Sequence, residues 1–297
     1  MKILLIRFLF ALLTVLAIPT DRASAEIFKL AILHGNLDIF DYEIGVIRLA
    51  LEQADGDHEL QVIPMPGVTQ TRVLKILEYR DDINVFFTGY SKEREETFLQ
   101  VDVPLTRGLL GHRVFIRKAG PSPLNDVKTI QQLSKFIIGS GEGWPDTDIF
   151  EAAGFQVAKS TYDNLWPMLD KERYDLFNRG LNEAATEIRQ QNANGYNFAV
   201  DRNLLVTYPF DYFIYLNKKS SRLHEILTEG LDRAYKNGSF QRFFFSHPNI
   251  RAALTQFPLK KMTALEIDNP YLSDRIRNLP SRYWYSIDRA EEEAGFE

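Results

Sequence analysis

The chain has 297 residues, no cysteine and a formal net charge of −5. Hydrophobic residues make up 45% and charged residues 25%, an ordinary globular balance that excludes wholesale disorder, a collagen-like fibre and a multi-span membrane protein. The missing cysteines exclude disulfides, thiolate metal sites, a thiol nucleophile and lipidation at cysteine, and the acidic balance lacks the basic footprint of a nucleic-acid binder.

Residues 1–25 have the layout of a cleaved secretory signal. Lys2 and Arg7 precede an apolar run from Phe8 to Ile18, and Ala23-Ser24-Ala25 supplies an A-x-A cleavage site. The run is shorter than the roughly 20 residues that span a bilayer. Removing Lys2, Arg7, Asp21 and Arg22 with the signal leaves 32 Lys/Arg against 39 Asp/Glu in a chain that starts at Glu26, a charge of −7. The expectation is a freely diffusing periplasmic protein, exported and not lipid-anchored.

Strand-like and helix-like patterns then alternate. Phe28 to Leu33 predicts a buried strand, with Asp41 placed to cap the next helix. Tyr42, Val46, Leu49 and Ala50 share one helical face. Leu60 to Ile63 predicts a short strand closed by Pro64 and Pro66, Val73, Ile76 and Leu77 a second helix, and Ile83 to Phe87 a third strand. This β-α-β-α-β order implies a parallel sheet with helical crossovers. An extended stretch from Val101 to Lys118 carries the strand Val114-Phe115-Ile116 and leads into a second α/β series. There, Ile130 and Leu133 mark a short helix, and Phe136 to Ile138 a strand running into Gly139-Ser140-Gly141-Glu142-Gly143. Trp144-Pro145 opens a helix that Gly154 can close, and Ser160 and Asp163 have capping-box spacing before the next one. Asp175 to Asn178 predicts a strand, Asn182 to Gln191 a helix, Phe213 to Leu216 a return strand, and Ser221 the start of a long helix. Two α/β lobes joined by extended crossings explain this order. The expected divisions are lobe 1 over 26–109 and 209–269, lobe 2 over 110–208, and a C-terminal extension over 270–297, with crossings near 106–111 and 206–212.

The five histidines lie no closer than 23 positions apart, which gives no local zinc spacing. His34 is distinct because it ends the first strand, where α/β ligand crevices form. The glycine-rich turn 139–143 lies between a strand and a helix, where bare backbone lets N–H groups approach an anion. It lacks the Gly-Lys-Ser/Thr of a nucleotide-phosphate loop, and Ser140 lacks the Gly-x-Ser-x-Gly context of a nucleophile elbow. No metal or cofactor is expected. Arg94 and Arg179 both fall just past predicted strands, where an open α/β sheet receives ligands, and guanidinium forks suit carboxylates and phosphates. Their acidic neighbours Glu93, Glu95 and Glu183 equally suit surface ion pairs.

The order of these motifs resembles the family 3 extracellular solute-binding proteins of ABC transporters, which have the type II periplasmic-binding-protein fold. The resemblance rests on Phe87-Thr88-Gly89-Tyr90-Ser91-Lys92-Glu93-Arg94, on Asp102-Val103-Pro104-Leu105, on the Gly139 to Trp144 turn and on Asn237-Gly238-Ser239-Phe240. Arg107 to Arg113 and Gly143 to Thr147 further resemble a less characterised branch of that family. The resemblance implies two lobes, each with a mostly parallel sheet, that close on a small polar, carboxylate-bearing ligand for uptake through an inner-membrane permease. It implies that Arg94 grips the ligand carboxylate, with Thr88 before it. Trp144, after Gly143, takes the place of the family's Thr or Ser. Gly180 stands where the family often has an ammonium-binding Asp. Arg179 beside it suits a second anionic group, Glu183 offers a negative charge one turn later, and Tyr90 and Trp144 pack on the ligand's apolar part. The protein is expected to act as a monomer without chemistry.

Two alternatives share the scaffold. One is an exported enzyme resembling dehydratases of prephenate-like acids, with His34, Glu142 and Glu183 as its acid–base groups. The other is a sensor or interaction protein using Tyr283-Trp284-Tyr285, which otherwise belong to a tail packed on lobe 1.

Overall fold

A computed structural model describes residues 25–33 and 37–286. The expected export signal and His34 lie outside the described residues.

In the first lobe, β1 (Ile27–Leu33), α1 (Asp41–Gln53), β2 (Glu59–Met65), α2 (Gln70–Tyr79), β3 (Val85–Gly89), α3 (Lys92–Thr97) and β4 (Leu99–Val101) follow in order. The second lobe holds β5 (His112–Lys118), α4 (Ile130–Leu133), β6 (Ile137–Gly141), α5 (Pro145–Ala152), β7 (Gln156–Ser160), α6 (Tyr162–Asp170), β8 (Leu176–Gly180), α7 (Leu181–Ala193), β9 (Phe198–Val200) and β10 (Leu204–Thr207). The chain returns through β11 (Tyr212–Leu216), α8 (Ser221–Lys236) and α9 (Ser239–Ser246), then runs on through α10 (Pro248–Gln256), β12 (Thr263–Glu266) and α11 (Asp274–Arg277). No helix among the described residues is long and apolar enough to cross a membrane.

Each lobe is a mixed sheet flanked by helices. The first has the order β2-β1-β3-β11-β4, parallel over β2, β1 and β3 and antiparallel where β11 and β4 join. The second has the order β12-β10-β5-β8-β6-β7, with β9 also paired to β5. β3 is buried along its whole length between β1 and β11, which explains its unbroken apolar run Val85-Phe86-Phe87. β2 continues through Pro64 instead of ending there, because it is an edge strand and the missing N–H falls outside the ladder. Asp41 is the first residue of α1 and not its cap. β8 runs two residues further than expected, so Arg179 and Gly180 belong to the strand.

The crossings Thr106–Gly111 and Thr207–Asp211 lie side by side, joined by Tyr208 N–H to Gly111 O (3.1 Å) and Leu105 N–H to Tyr212 O (3.0 Å). Asp211 binds them from within. Its fully buried carboxylate accepts from the backbone N–H and hydroxyl of Thr106 (3.0 and 2.9 Å), from Tyr212 N–H (2.6 Å) and from Gly108 N–H. Burial pushes Asp211 up to about 7 against the pull of these donors. The chain then crosses again. β12 pairs in parallel with β10, Leu204 opposite Thr263, so the stretch 209–269 is shared between the two lobes. Residues 267–286 return as a strap over the crossings and the first lobe. Asn269 Nδ2 donates to Pro209 O (2.9 Å), Tyr285 N–H donates to Arg107 O (2.7 Å), Ile276 is buried, and the Tyr283 ring meets Tyr235 at 4.6 Å.

Candidate functional site

The carboxyl ends of β3, β6 and β8 converge where the lobes meet, the position at which open α/β sheets receive ligands. After β3, Ser91 caps α3 by accepting from Arg94 N–H (3.3 Å). That cap turns the Arg94 side chain into the interface, 7% exposed. Its guanidinium donates to Thr88 Oγ1 (3.1 Å), Gly89 O (2.5 Å) and Gln70 Oε1 (2.8 Å) in the first lobe, and to Gly143 O (3.1 Å) in the second. All four acceptors are neutral, and no carboxylate forms an ion pair with Arg94 among the described residues. Burial pulls its pKa down, against the opposing pull of Tyr215, Glu93, Asp146 and Asp148, none of which bonds it directly.

The facing turn is built around aromatic rings. A Cβ at Gly139 would lie 2.4 Å from the Tyr174 ring, and one at Gly141 would lie 2.1 Å from Trp144. These two glycines are therefore explained by ring packing and not by the expected approach of an anion to bare backbone. Gly143 has φ +75° and sits against Thr71 of α2, so the lobes touch there. Trp144 stacks on Phe177 (6.4 Å, 16°), lies 6.3 Å from the Tyr162 ring, and has the Arg179 guanidinium 4.8 Å from its own ring.

Arg179 does not face a free ligand position. Its guanidinium is held by Glu187 through two bonds of 2.6 and 2.7 Å and by Glu183 at 3.0 Å, with the Tyr162 ring at 5.7 Å. Two glutamates of the following helix occupy the role expected of a ligand anion. Burial works against the Arg179 charge, but these carboxylates raise its pKa well above the usual value. Burial likewise works against the Glu183 carboxylate, but Arg179, Arg113 and its hydrogen bonds hold it below the usual range. Burial raises Glu187, which Tyr162 Oη–H also meets (3.0 Å). Glu183 accepts from Gly180 N–H (2.9 Å) and from Tyr212 Oη–H (2.6 Å), so it ties the second lobe to β11.

Arg113 has no place among the sequence-derived candidates. It is 1% exposed, donates to Asn178 Oδ1 (2.9 and 3.2 Å) and Leu110 O (2.9 Å), and pairs with Asp146 (3.0 Å), which Tyr208 also contacts. Its only sequence signal was the Arg107 to Arg113 segment, since Asn178 lies 65 positions away. A further lobe contact joins Asn182 Nδ2 to Glu43 Oε1 (3.4 Å), whose carboxyl is raised by burial.

Arg113, Arg179, Trp144, Glu183 and Tyr212 leave a cavity of about 30 Å³ between the lobes, room for one or two waters. Arg94 and Gly143 instead border a much larger groove of about 950 Å³ on the flank of the interface. Its walls are α2, α3, the start of α5 and the strap segment 269–275. Tyr90, expected in the cleft, lies on this flank. Its hydroxyl donates to Glu95 Oε2 (3.0 Å) and accepts from Ser273 N–H (3.1 Å). The structure thus brings Thr88, Arg94 and Gly143 together, gathers Trp144, Arg179 and Glu183 into a self-paired cluster, and places Tyr90 on the groove.

No protein-family model matches the chain, and no curated protein does. Solved structures share its fold. An ancestral arginine-binding protein bound to glutamine superposes with a TM-score of 0.55 at 15% identity, covering 75% of this chain and 98% of that one. An amino acid ABC transporter substrate-binding protein from Streptococcus pneumoniae bound to L-arginine gives 0.54 at 15% identity, over 76% and 93%. The GluR0 ligand-binding core from Nostoc punctiforme, in complex with L-glutamate, gives 0.50 at 12% identity, over 75% and 99%. The fold is that of the type II periplasmic binding proteins.

Proposed function

We propose that this is an exported solute-binding protein that captures a small polar, carboxylate-bearing ligand where its two lobes meet and presents it to an ABC-type permease of the inner membrane. The observation that supports this reading is Arg94: a buried guanidinium at the lobe interface, bonded among the described residues only to neutral oxygens. Such a group gains more from an anion than from any of its present partners, because charge-assisted bidentate pairs are the stronger bonds and desolvation magnifies them. Three of its acceptors belong to the first lobe and stay with it. The fourth, Gly143 O, belongs to the second lobe and leaves when the lobes part. A ligand carboxylate takes that place. Gly180 offers no carboxylate for an α-ammonium, which turns the preference toward ligands recognised chiefly by their acid group.

Binding without chemistry is the accompanying proposal. Asp146, Glu183 and Glu187 are each engaged by a guanidinium, which leaves them poorly suited to proton transfer.

Calorimetry against a panel of organic acids and amino acids tests the reading. At least one carboxylate binds, and Arg94→Ala weakens it roughly 10- to 100-fold, the worth of one charged hydrogen-bond set. A ligand bound equally well by Arg94→Ala overturns the assignment.

A further inference from the structure

The flank groove has no role in a ligand held wholly between the lobes, yet Arg94 opens onto it. The inner cavity of about 30 Å³ is too small for an amino acid, and the groove of about 950 Å³ falls in the size range of small-molecule sites. We infer that the groove is the binding site for the body of a short peptide, whose terminal carboxylate sits on Arg94 and whose chain runs between α2 and the strap. This rests on the reading of Arg94 as the carboxylate site.

Three observations carry it. First, the wall made by the strap is held in place. Ser273 donates its N–H to Tyr90 Oη (3.1 Å) and its hydroxyl to Glu95 (2.7 Å), and Arg275 Nε donates to Asp102 (2.7 Å). A preorganised wall lowers the entropy that a ligand loses on docking. Second, the lining is amphoteric. Arg94 supplies the cationic end, while Glu93 on α3 and Asp148 on α5 border the same groove and have no ion-pair partner among the described residues. A ligand that carries both a carboxylate and an ammonium satisfies both. Third, apolar surface lines the same groove: Leu74 of α2, Leu272 of the strap, and Tyr271, which is 46% exposed. Peptide side chains have this mixture of needs, whereas a small dicarboxylate has no use for the apolar strip or for Asp148.

The test uses the mature protein and three probes: a mixed tripeptide pool with free carboxyl ends, the same pool as carboxyl-terminal amides, and the free amino acids. Retention is read by native mass spectrometry, and retained species are titrated by calorimetry. The expected result is retention of free-acid tripeptides, a loss of at least tenfold for the amides, and the same loss for Arg94→Gln. Tyr271→Ala and Asp148→Asn then weaken the tripeptides by about three- to tenfold each, in line with one lost interface contact. Both positions are near the surface, so folding is checked simply by an unchanged melting curve. Tripeptides bound no better than free amino acids, or bound with unchanged affinity by both variants, overturn the groove. If amino acids then bind in an Arg94-dependent way, the carboxylate reading survives and only the peptide site falls. Failure of every carboxylate in all three probes removes both.

Discussion

Replacing Arg179 by alanine strips two buried carboxylates of their common counter-charge. Glu187 is fully buried and Glu183 is 3% exposed, and Arg179 meets them through contacts of 2.6, 2.7 and 3.0 Å. Breaking a buried pair from one side costs about 3–5 kcal/mol, which for a chain of this size is a fall in Tm on the order of 6–20 °C. The loss depends on pH with a definite sign. In the intact protein Glu183 is held below its usual range, so its contribution is present at neutral pH and fades as pH falls through that lowered value. Without Arg179, burial lifts Glu183 above its unfolded value of about 4.3 and lifts Glu187, already raised in the intact protein, further. The folded variant then takes up protons, so the gap to the parent protein widens from pH 5 to pH 8. The lost fork also leaves a guanidinium-shaped space beside Trp144 and Tyr162. Millimolar methylguanidinium therefore raises the Tm of Arg179→Ala and leaves the parent unmoved. Thermal unfolding at several pH values, with and without methylguanidinium, reads all three effects. A fall of less than 2 °C, a gap that narrows with rising pH, or no rescue refutes the account of Arg179 as a cation already satisfied within the chain.

Two further predictions concern the crossings. Asp211→Asn leaves one acceptor oxygen where a carboxylate served four donors, and costs about 1–3 kcal/mol in urea unfolding at pH 8. Because Asp211 is raised to about 7, the folded state holds its proton more tightly than the unfolded one; its contribution is greatest below about pH 4 and is lost as pH rises toward 7. The variant's stability should therefore decline less over that interval, and an equal decline in both proteins contradicts the assignment. Removing residues 270–297 exposes the surface covered by Ile276 and Tyr283, each worth about 1.5–3 kcal/mol, and should lower Tm by more than about 6 °C. An unchanged Tm would show that the strap contributes no packing.

Much of the fold was legible because its signals are local. Phe28 to Leu33 and the Tyr42, Val46, Leu49, Ala50 face carry strand and helix periods in plain form, and β1 and α1 occupy those positions. The ends of elements were less legible. Pro64 reads as a stop only when the strand's place in the sheet is unknown, and Arg179 and Gly180 join β8 because β5 continues to pair with them, Val114 opposite Arg179 and Arg113 opposite Gly180. β12 carried no signal: Thr263 to Glu266 is four residues long, and its pairing with β10 is a matter of the later chain path.

The two arginines expected to mark the cleft show where local pattern stops informing chemistry. Arg179 lies at the carboxyl end of β8 and Arg94 lies in the helix that follows β3, and both have glutamates nearby in sequence. Their fates differ through spacing. Glu183 and Glu187 follow Arg179 at four and eight positions, on one face of α7, so the helix carries them back over the guanidinium. Glu93 and Glu95 flank Arg94 on a helix of six residues, at one position either side, and neither forms an ion pair with it among the described residues. A charge one place along a helix cannot neutralise its neighbour, whereas charges one and two turns along can. Arg94 therefore reaches the interface with its charge unspent, and Arg179 does not. The spacing of carboxylates after a strand-end arginine, and not the arginine itself, separates a guanidinium without an ion pair from one held by the chain's own carboxylates.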